Sequence, residues 1–270
     1  MLKSLKMKQS EPCICGTRTK NEFPGKLSVL MPAHDEGAGI YDNLGETFAF
    51  LRETSRDFEI IVIDDGSSDN TYEEAARFAA DNSRVKLVKN KTNLGKGGAL
   101  REGFKYSEGD TIVFIDADLD LHPSQLQLFF DHMRGADADV VIGSKRHPQS
   151  KLYYPFHRKI VSMVYFFMVK LLFRLPIHDT QTGLKLFKRQ VLEKVFPQML
   201  VKKFAFDLEL LVLAHRHDFT IVEAPVVVDY RPNIGKKIRR WVRPTDIYTT
   251  WWDTMAIFYR LYILRHYDRY

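Results

Sequence analysis

Cysteine is scarce in this sequence, since the chain has 270 residues and only two cysteines, Cys13 and Cys15. Two thiols cannot build a disulfide framework, so we expect a reducing compartment. A structural zinc site needs four ligands, and this C-x-C pair has no second pair to complete one. We therefore expect no structural metal at the cysteines.

The sequence also has no hydrophobic run of membrane-spanning length. The most apolar stretch, Ile160 to Val169, ends at Lys170, whereas a spanning helix needs about 20 apolar residues. The first 20 residues are polar and basic without an apolar core, which is not the pattern of a signal peptide. We expect a cytoplasmic protein that binds membranes peripherally, on their cytoplasmic face.

A strong compositional bias is missing too. Hydrophobic residues make up 45% and charged residues 27% of the chain, which excludes collagen-like and intrinsically disordered classes. The net charge of +6 lies at one end, because residues 231–270 hold nine Lys or Arg against three Asp. A basic tail on a neutral body favours an anionic surface or an anionic substrate at that end.

Short apolar runs alternate with helical patterns over the first half of the chain. The runs lie at 27–31, 58–63, 85–88, 111–115 and 140–142, and the helical patterns between them at 40–54, 71–80 and 123–133. This alternation predicts an α/β fold with a mostly parallel central sheet flanked by helices. Further on, we predict a strand at 220–228 and apolar or amphipathic helices at 158–175 and 244–264.

Acidic residues follow three of the predicted strands. In parallel α/β sheets, ligands bind beyond the carboxyl ends of the strands. Seven carboxylates at one edge would repel each other, and a divalent metal held by two carboxylates and by substrate phosphates would relieve this. Helix N-capping is the alternative for Asp35. The seven are Asp35, Glu36, Asp64, Asp65, Asp116, Asp118 and Asp120.

A glycine-rich segment, residues 93–98, leads into another predicted helix. It does not match the phosphate-loop pattern G-x-x-x-x-G-K-[ST] or the dinucleotide-binding pattern G-x-G-x-x-G. Either Lys96 and the backbone amides face an anion at the helix N-terminus, or the glycines only shape a turn. The residues leave both interpretations open.

Four motifs occur in order along the chain: Ser28–Glu36 (SVLMPAHDE), Val62–Thr71 (VIDDGSSDNT), Asn93–Ala99 (NLGKGGA) and Asp116–Asp118 (DAD). Together they resemble the family 2 inverting glycosyltransferases, which implies a Rossmann-like GT-A fold and a nucleotide-sugar donor. Segments 158–162, 179–187 and 206–211 are similar to polyprenyl-phosphate sugar synthases, above all dolichyl-phosphate β-glucosyltransferases. We divide the chain into a flexible arm (1–25), a GT-A domain (26–232) and a basic aromatic tail (233–270).

The resemblance implies roles for matching residues. For the nucleotide sugar these are Pro32, Ala33, His34, Glu36, Asp64, Asp65, Lys96, Asp116 and Ala117. For a Mg²⁺ or Mn²⁺ ion they are Asp116, Asp118 and Asp120. For the acceptor phosphate they are Lys145, Arg146, Arg158, Ser162, Arg231 and Lys237. The catalytic candidates, which include contacts to the sugar or the acceptor, are Asp118, Asp179, Gln181, Asp207 and Glu209. A charge favoured by the helix dipole is the alternative for Asp207.

These residues predict transfer of glucose or mannose, from UDP-glucose or GDP-mannose, to a polyprenyl phosphate with inversion. The acceptor oxygen is already anionic at neutral pH, so no strong base is needed. One alternative is a soluble glycan or cell-wall acceptor, but Arg158 and Ser162, four residues apart on one helix face, favour a phosphate. The other is a basic module that docks on membrane or nucleic acid. The acidic strand ends argue against it, and we expect no nucleic acid partner.

Two apolar helices remain to be explained. The helix at 158–175 is apolar almost all round, and the tail helix is rich in aromatic residues and flanked by arginines. This composition favours helices that lie on an anionic membrane surface. Packing on the sheet or a homodimer contact is the alternative.

Overall fold

The computed structural model describes residues 25–55, 57–153, 156–203, 205–229 and 244–269. Within them lie nine strands: β1 (Leu27–Ala33), β2 (Phe58–Asp64), β3 (Val85–Lys89), β4 (Thr111–Phe114), β5 (Val140–Ser144), β6 (Lys151–Tyr153), β7 (Lys185–Lys188), β8 (Ile221–Pro225) and β9 (Val227–Asp229). Seven form a sheet in the order β3-β2-β1-β4-β7-β5-β8, and β6 pairs with β9. β7 is antiparallel to both of its neighbours, whereas the other pairs are parallel.

The described helices are α1 (Ile40–Thr54), α2 (Thr71–Ala80), α3 (Lys96–Phe104), α4 (Leu126–Gly135), α5 (Phe156–Phe173), α6 (Arg189–Val195), α7 (Phe206–Arg216) and α8 (Pro244–Phe258). A 3-10 turn, Pro123–Gln125, precedes α4. A π-helical turn, Tyr259–Ile263, continues α8, and a 3-10 turn, His266–Arg269, follows it. Helical structure thus covers residues 244–263 of the helix predicted over 244–264, with a π-helical rather than an α-helical last turn.

The sheet is covered on both faces. Along β2, Ile60 and Val62 pack in one cluster with α1, α2 and α4, while Ile61 and Ile63 pack in another with α3, α6 and α7. All four side chains are buried, as expected for parallel strands between two helical layers. The predicted fold class, a mostly parallel sheet flanked by helices, is confirmed.

The expected single strand at 220–228 is divided into β8 and β9. Pro225 has no N–H to continue the ladder. Beyond it, the N–H of Val226 donates to Ser150 Oγ at 2.9 Å and its carbonyl accepts from Lys151 N–H at 3.0 Å. The chain thereby leaves the main sheet for the small one.

Helices α5 and α8 pack against each other beside the sheet. The hydroxyls of Tyr165 and Thr254 are 3.3 Å apart, and Phe173 meets Phe258 edge to face at 6.2 Å between ring centres. Phe173 and Ile257 are buried in the core. The part of the chain that the structure describes has no helix both long and apolar enough to cross a membrane.

Candidate active site

The loops after β1 and β2 are fastened to each other at the carboxyl edge of the sheet. Asp35 Oδ1 accepts the N–H of Ser68 at 2.8 Å and its hydroxyl at 3.1 Å. Donation from the Ser68 N–H lowers the pKa of Asp35. The N–H of Glu36 donates to Thr71 Oγ1 at 2.8 Å. Asp35 thus joins two loops and shapes the rim of the site.

Asp65 has a structural contact of its own. Its Oδ1 accepts from Asn90 Nδ2 at 2.8 Å and from the N–H of Leu94 at 2.9 Å, so it holds the loop that follows β3. Its N–H donates to the carbonyl of Ala33, at the end of β1, and its carbonyl lies 3.1 Å from His34 Nδ1. Asp65 therefore fixes the edge at which β1 ends with Pro32 and Ala33 and His34 follows.

Asp64 differs from its neighbour in having a spare acceptor. It is fully buried, and its Oδ1 accepts the N–H of Ser67 at 3.1 Å. Its Oδ2 has no hydrogen-bond donor among the described residues. Leaving a buried acceptor unsatisfied costs about 1–3 kcal/mol, so such atoms are typical of sites completed by a ligand or water.

The acidic turn after β4 does not have the expected three-carboxylate arrangement. Asp118 Oδ1 accepts the N–H of Asp120 at 3.1 Å, and Leu119 has a φ of 50°. The chain therefore reverses between these carboxylates, while Asp116 forms an ion pair with Lys96. In the described ranges, no three His, Cys, Asp or Glu side chains are grouped to hold a metal. Asp116, Asp118 and Asp120 are thus not grouped as one three-carboxylate site, and their role as metal ligands stays a prediction.

The turn nevertheless suits a divalent cation that also binds substrate oxygens. Asp116 and Asp118 offer hard carboxylate ligands, and Mg²⁺ is commonly held by one or two carboxylates together with phosphates. Gly183 lies against Asp116, and a Cβ at this position would collide with the carboxylate. Room for the Asp116 side chain thus depends on a glycine, which sequence reasoning did not single out.

The glycine-rich segment is packed against another part of the chain. The N–H groups of Gly97 and Gly98 donate to the carbonyl of Lys202 at 2.8 and 3.2 Å. A Cβ at Gly97 would lie 2.5 Å from the Cβ of Phe206. These amides serve internal packing, and it is the side chain of Lys96 that faces the acidic turn. Burial opposes the charge on Lys96, but Asp116 and then Asp207 outweigh it and raise its pKa.

Asp207 forms a buried ion pair that sequence reasoning missed. Lys185 Nζ lies 2.5 Å from both Asp207 Oδ1 and the carbonyl of Thr182, and the Lys185 side chain is 1% exposed. Burial raises the pKa of Asp207 and lowers that of Lys185. The signal was a lysine between apolar residues, because Leu184 precedes Lys185 and Leu186 and Phe187 follow it.

Glu209 is placed away from the acidic edge. It is fully buried, its Oε2 accepts the N–H groups of Leu200 and Val201 at 3.0 and 2.8 Å, and its Oε1 accepts the hydroxyl of Tyr267 at 2.5 Å. Residues two apart on a helix do not share a face, so Asp207 points to the ion pair with β7 while Glu209 does not. Contact between Glu209 and a substrate does not fit this position.

A basic crevice brings together five of the predicted residues. Arg146 Nη2 donates to the carbonyl and hydroxyl of Ser162 at 2.6 and 3.1 Å. Asp179 accepts the N–H groups of Lys145 and Gln181, both at 3.0 Å. The lining also includes Tyr165, Phe166, Lys170 and His178. Arg231, Lys237 and the side chain of Arg158 lie outside the described residues.

Comparison with known proteins agrees with this geometry. Residues 28–196 match the profile of the family described as glycosyl transferase family 2. The chain belongs to glycosyl transferase family 2. The resemblance drawn from the four motifs, and with it the prediction of a glycosyltransferase, is confirmed.

Several named relatives match most of the chain. Glycosyltransferase AglD of Haloferax volcanii is 32% identical over 84% of this chain, which spans 37% of that protein's length. The dolichyl-phosphate β-glucosyltransferase of Dictyostelium discoideum is 34% identical, over 78% of this chain and 68% of its own length. The enzyme of that name from Saccharomyces cerevisiae is 31% identical, over 74% and 66%.

Solved structures share the fold at lower identity. Glucosyl-3-phosphoglycerate synthase from Mycobacterium tuberculosis, in complex with Mn²⁺, UDP and phosphoglyceric acid, superposes with a TM-score of 0.65 at 20% identity. The match covers 87% of this chain and 78% of that one. It supports the GT-A architecture.

Proposed function

We propose that this protein transfers a hexose, with glucose as the first candidate, from a nucleotide sugar to a polyprenyl phosphate with inversion. Two relatives named dolichyl-phosphate β-glucosyltransferase support this choice. The observation that carries it is the basic crevice, which lies along a helix, α5, with an exposed apolar face. A phosphate attached to a long hydrocarbon chain is the ligand chemistry that suits both surfaces.

The crevice provides the contacts for the acceptor phosphate. Arg146, Lys145 and Lys170 supply positive charge around the Ser162 hydroxyl, and the ring of Phe166 lies 4.5 Å from the Arg146 guanidinium. An acceptor phosphate is anionic at neutral pH, so these cations need only hold it and orient one oxygen. That oxygen forms the new bond to the anomeric carbon as the bond to the nucleoside diphosphate breaks.

Arg158 belongs to the same proposal. It precedes Ser162 by four residues on α5, and residues at this spacing share a helix face. We assign Arg158 a contact with the acceptor phosphate, together with Arg231 and Lys237.

The donor is assigned to the edge formed by β1, β2 and β4. Asp64 Oδ2 is the acceptor for an N–H or hydroxyl of the nucleoside, and Glu36 and Ala117 border the same edge. Asp116 and Asp118 would hold Mg²⁺ or Mn²⁺ together with the diphosphate. Such an ion neutralises the charge that builds on the leaving group. Lys96, which remains an ammonium, adds a second positive charge at this place.

We assign the membrane surface to the outer faces of α5 and α8. On α5, Val164, Phe167 and Leu171 are 65, 61 and 79% exposed, and on α8 the side chain of Trp252 is 59% exposed. The net charge of +6 resides in residues 231–270, which favours an anionic leaflet. We place the protein peripherally on the cytoplasmic face. A homodimer through this surface is the alternative.

The deciding experiment measures label transfer into lipid. The protein is incubated with Mg²⁺ or Mn²⁺, a polyprenyl phosphate and a panel of UDP- and GDP-sugars, and we expect UDP-glucose to label the lipid most strongly. The matched control is the polyprenol without its phosphate, which should accept no sugar. Equal transfer to this alcohol would contradict the proposal that the basic crevice binds the acceptor phosphate. Transfer to soluble glycans alone would favour the alternative acceptor.

A further inference from the structure

One buried carboxylate, Glu209, joins the C-terminal turn to the loop that precedes α7. Tyr267, 2% exposed, donates its hydroxyl to Glu209 Oε1 at 2.5 Å. Burial, and then the Glu209 carboxylate, raise the pKa of Tyr267 above its usual range, so the hydroxyl stays protonated and able to donate. The other oxygen of Glu209 accepts two amides of residues 199–203, here called the α7 entry loop.

The α7 entry loop is attached on its other side to the start of α3. The Lys202 carbonyl accepts the N–H groups of Gly97 and Gly98 at 2.8 and 3.2 Å. Arg101 Nη1 donates to the carbonyl of Met199 at 2.8 Å. The residue directly before Gly97 is Lys96, whose ammonium pairs with Asp116. The loop thus supports the first turn of α3, which presents this lysine.

We propose that Tyr267 and Glu209 form a positioning pair, which sets the α7 entry loop and, through it, Lys96 against the acidic turn. The C-terminal turn then supports donor binding without contacting the donor. The π-helical turn at 259–263 lies just before Tyr267, and such turns are frequent at functional sites. Only the expected change in UDP affinity rests on the proposed function, because the hydrogen-exchange measurement needs no substrate.

The test removes one hydroxyl with Tyr267→Phe. We expect faster amide hydrogen exchange in two separate segments, residues 197–203 and residues 95–99, because the loop loosens and releases the start of α3. Affinity for UDP with Mn²⁺ should fall about tenfold, as expected for loss of a hydrogen bond to a charged group. The KM for polyprenyl phosphate should stay unchanged.

Asp268→Asn is the matched control. Asp268 belongs to the same C-terminal turn and pairs with Arg216 of α7, but the two side chains are 40 and 39% exposed and the pair does not involve the loop. This variant should alter neither exchange nor UDP affinity. A second variant, Arg101→Gln, releases the loop from the α3 side and should speed exchange in both segments.

Three results would overturn the proposal. The first is unchanged hydrogen exchange in both segments of Tyr267→Phe. The second is faster exchange at 197–203 in this variant with unchanged exchange at 95–99. The third is an equal loss of affinity for UDP and for polyprenyl phosphate, which indicates general destabilisation. If Tyr267→Phe does not fold, unchanged exchange in Arg101→Gln overturns it as well. If the wild-type protein transfers no sugar, the proposed function fails while the exchange measurements still decide this coupling.

Discussion

The acidic edge and the basic crevice differ in how their side chains are held. At the edge, loops after neighbouring parallel strands bond directly to each other, as Asp35 does to Ser68 and Asp65 to Asn90. The crevice instead collects Lys145, Ser162 and Asp179 from separate segments and opens beside an exposed apolar helix. A rigid edge suits a compact, charged donor, whereas an open crevice suits an amphiphilic acceptor whose chain stays outside.

The first prediction compares the buried ion pair of Lys185 and Asp207 with the ion pair of Lys145 and Asp179 in the basic crevice. Lys185→Met should lower the free energy of unfolding by about 3–5 kcal/mol, because it removes the hydrogen-bonded cation from the buried Asp207 carboxylate. Lys145→Met, in the half-open crevice, removes a 3.6 Å contact with Asp179 and should cost less than about 1 kcal/mol. Urea denaturation measures both values. Equal costs would contradict the distinction between a rigid edge and an open crevice.

The second prediction addresses the metal. Asp118→Asn should lower transfer about 100-fold or more, because it removes a charged ligand that acts on the developing negative charge. Turnover is measured at saturating Mg²⁺ and donor, with circular dichroism to verify folding. Asp131→Asn, an exposed change on α4, is the control and should keep full activity. Undiminished activity in EDTA would rule out the metal role.

The third prediction separates the two substrates. Arg146→Gln should raise the KM for polyprenyl phosphate about tenfold, since it removes a charged hydrogen-bond donor from the basic crevice. The KM for the nucleotide sugar should barely change, because we assign the sugar donor to the acidic edge and not to the crevice. Steady-state kinetics with each substrate varied in turn provide both constants. Arg134→Gln on α4 is the matched control, and a shared rise in both constants would argue against separate subsites.

The smallest effect is expected at the membrane. Leu171→Asn removes an apolar side chain that is 79% exposed on α5 and should weaken binding to anionic vesicles about three- to tenfold. Co-sedimentation at low and high salt measures it. Leu128→Asn, on α4 across the sheet and 39% exposed, is the control. If both variants sediment like the wild-type protein, the outer face of α5 does not dock on lipid.

The sequence predicts features that depend on nearby residues and misses those that depend on distant ones. The bounds of α1 and α2, Ile40–Thr54 and Thr71–Ala80, are the predicted ones, because apolar periodicity and helix-start signals are local. The bonding of Glu209 depends on Tyr267, 58 positions away, and no local pattern reveals it. Lys185 was visible as a charge between apolar residues, but nothing local identified Asp207, 22 positions away, as its partner.

The reversed direction of β7 has a consequence for how this site varies. Its amino end, not its carboxyl end, reaches the ligand edge, so the residues that precede the strand belong to the site. Asp179 fixes the crevice, Gly183 leaves room for Asp116, and Lys185 neutralises Asp207. A shift of one residue would turn Lys185 to the opposite face of the sheet. Insertions and deletions between 179 and 185 should therefore be selected against, even where individual side chains vary, since one length change would disturb both of the proposed substrate sites.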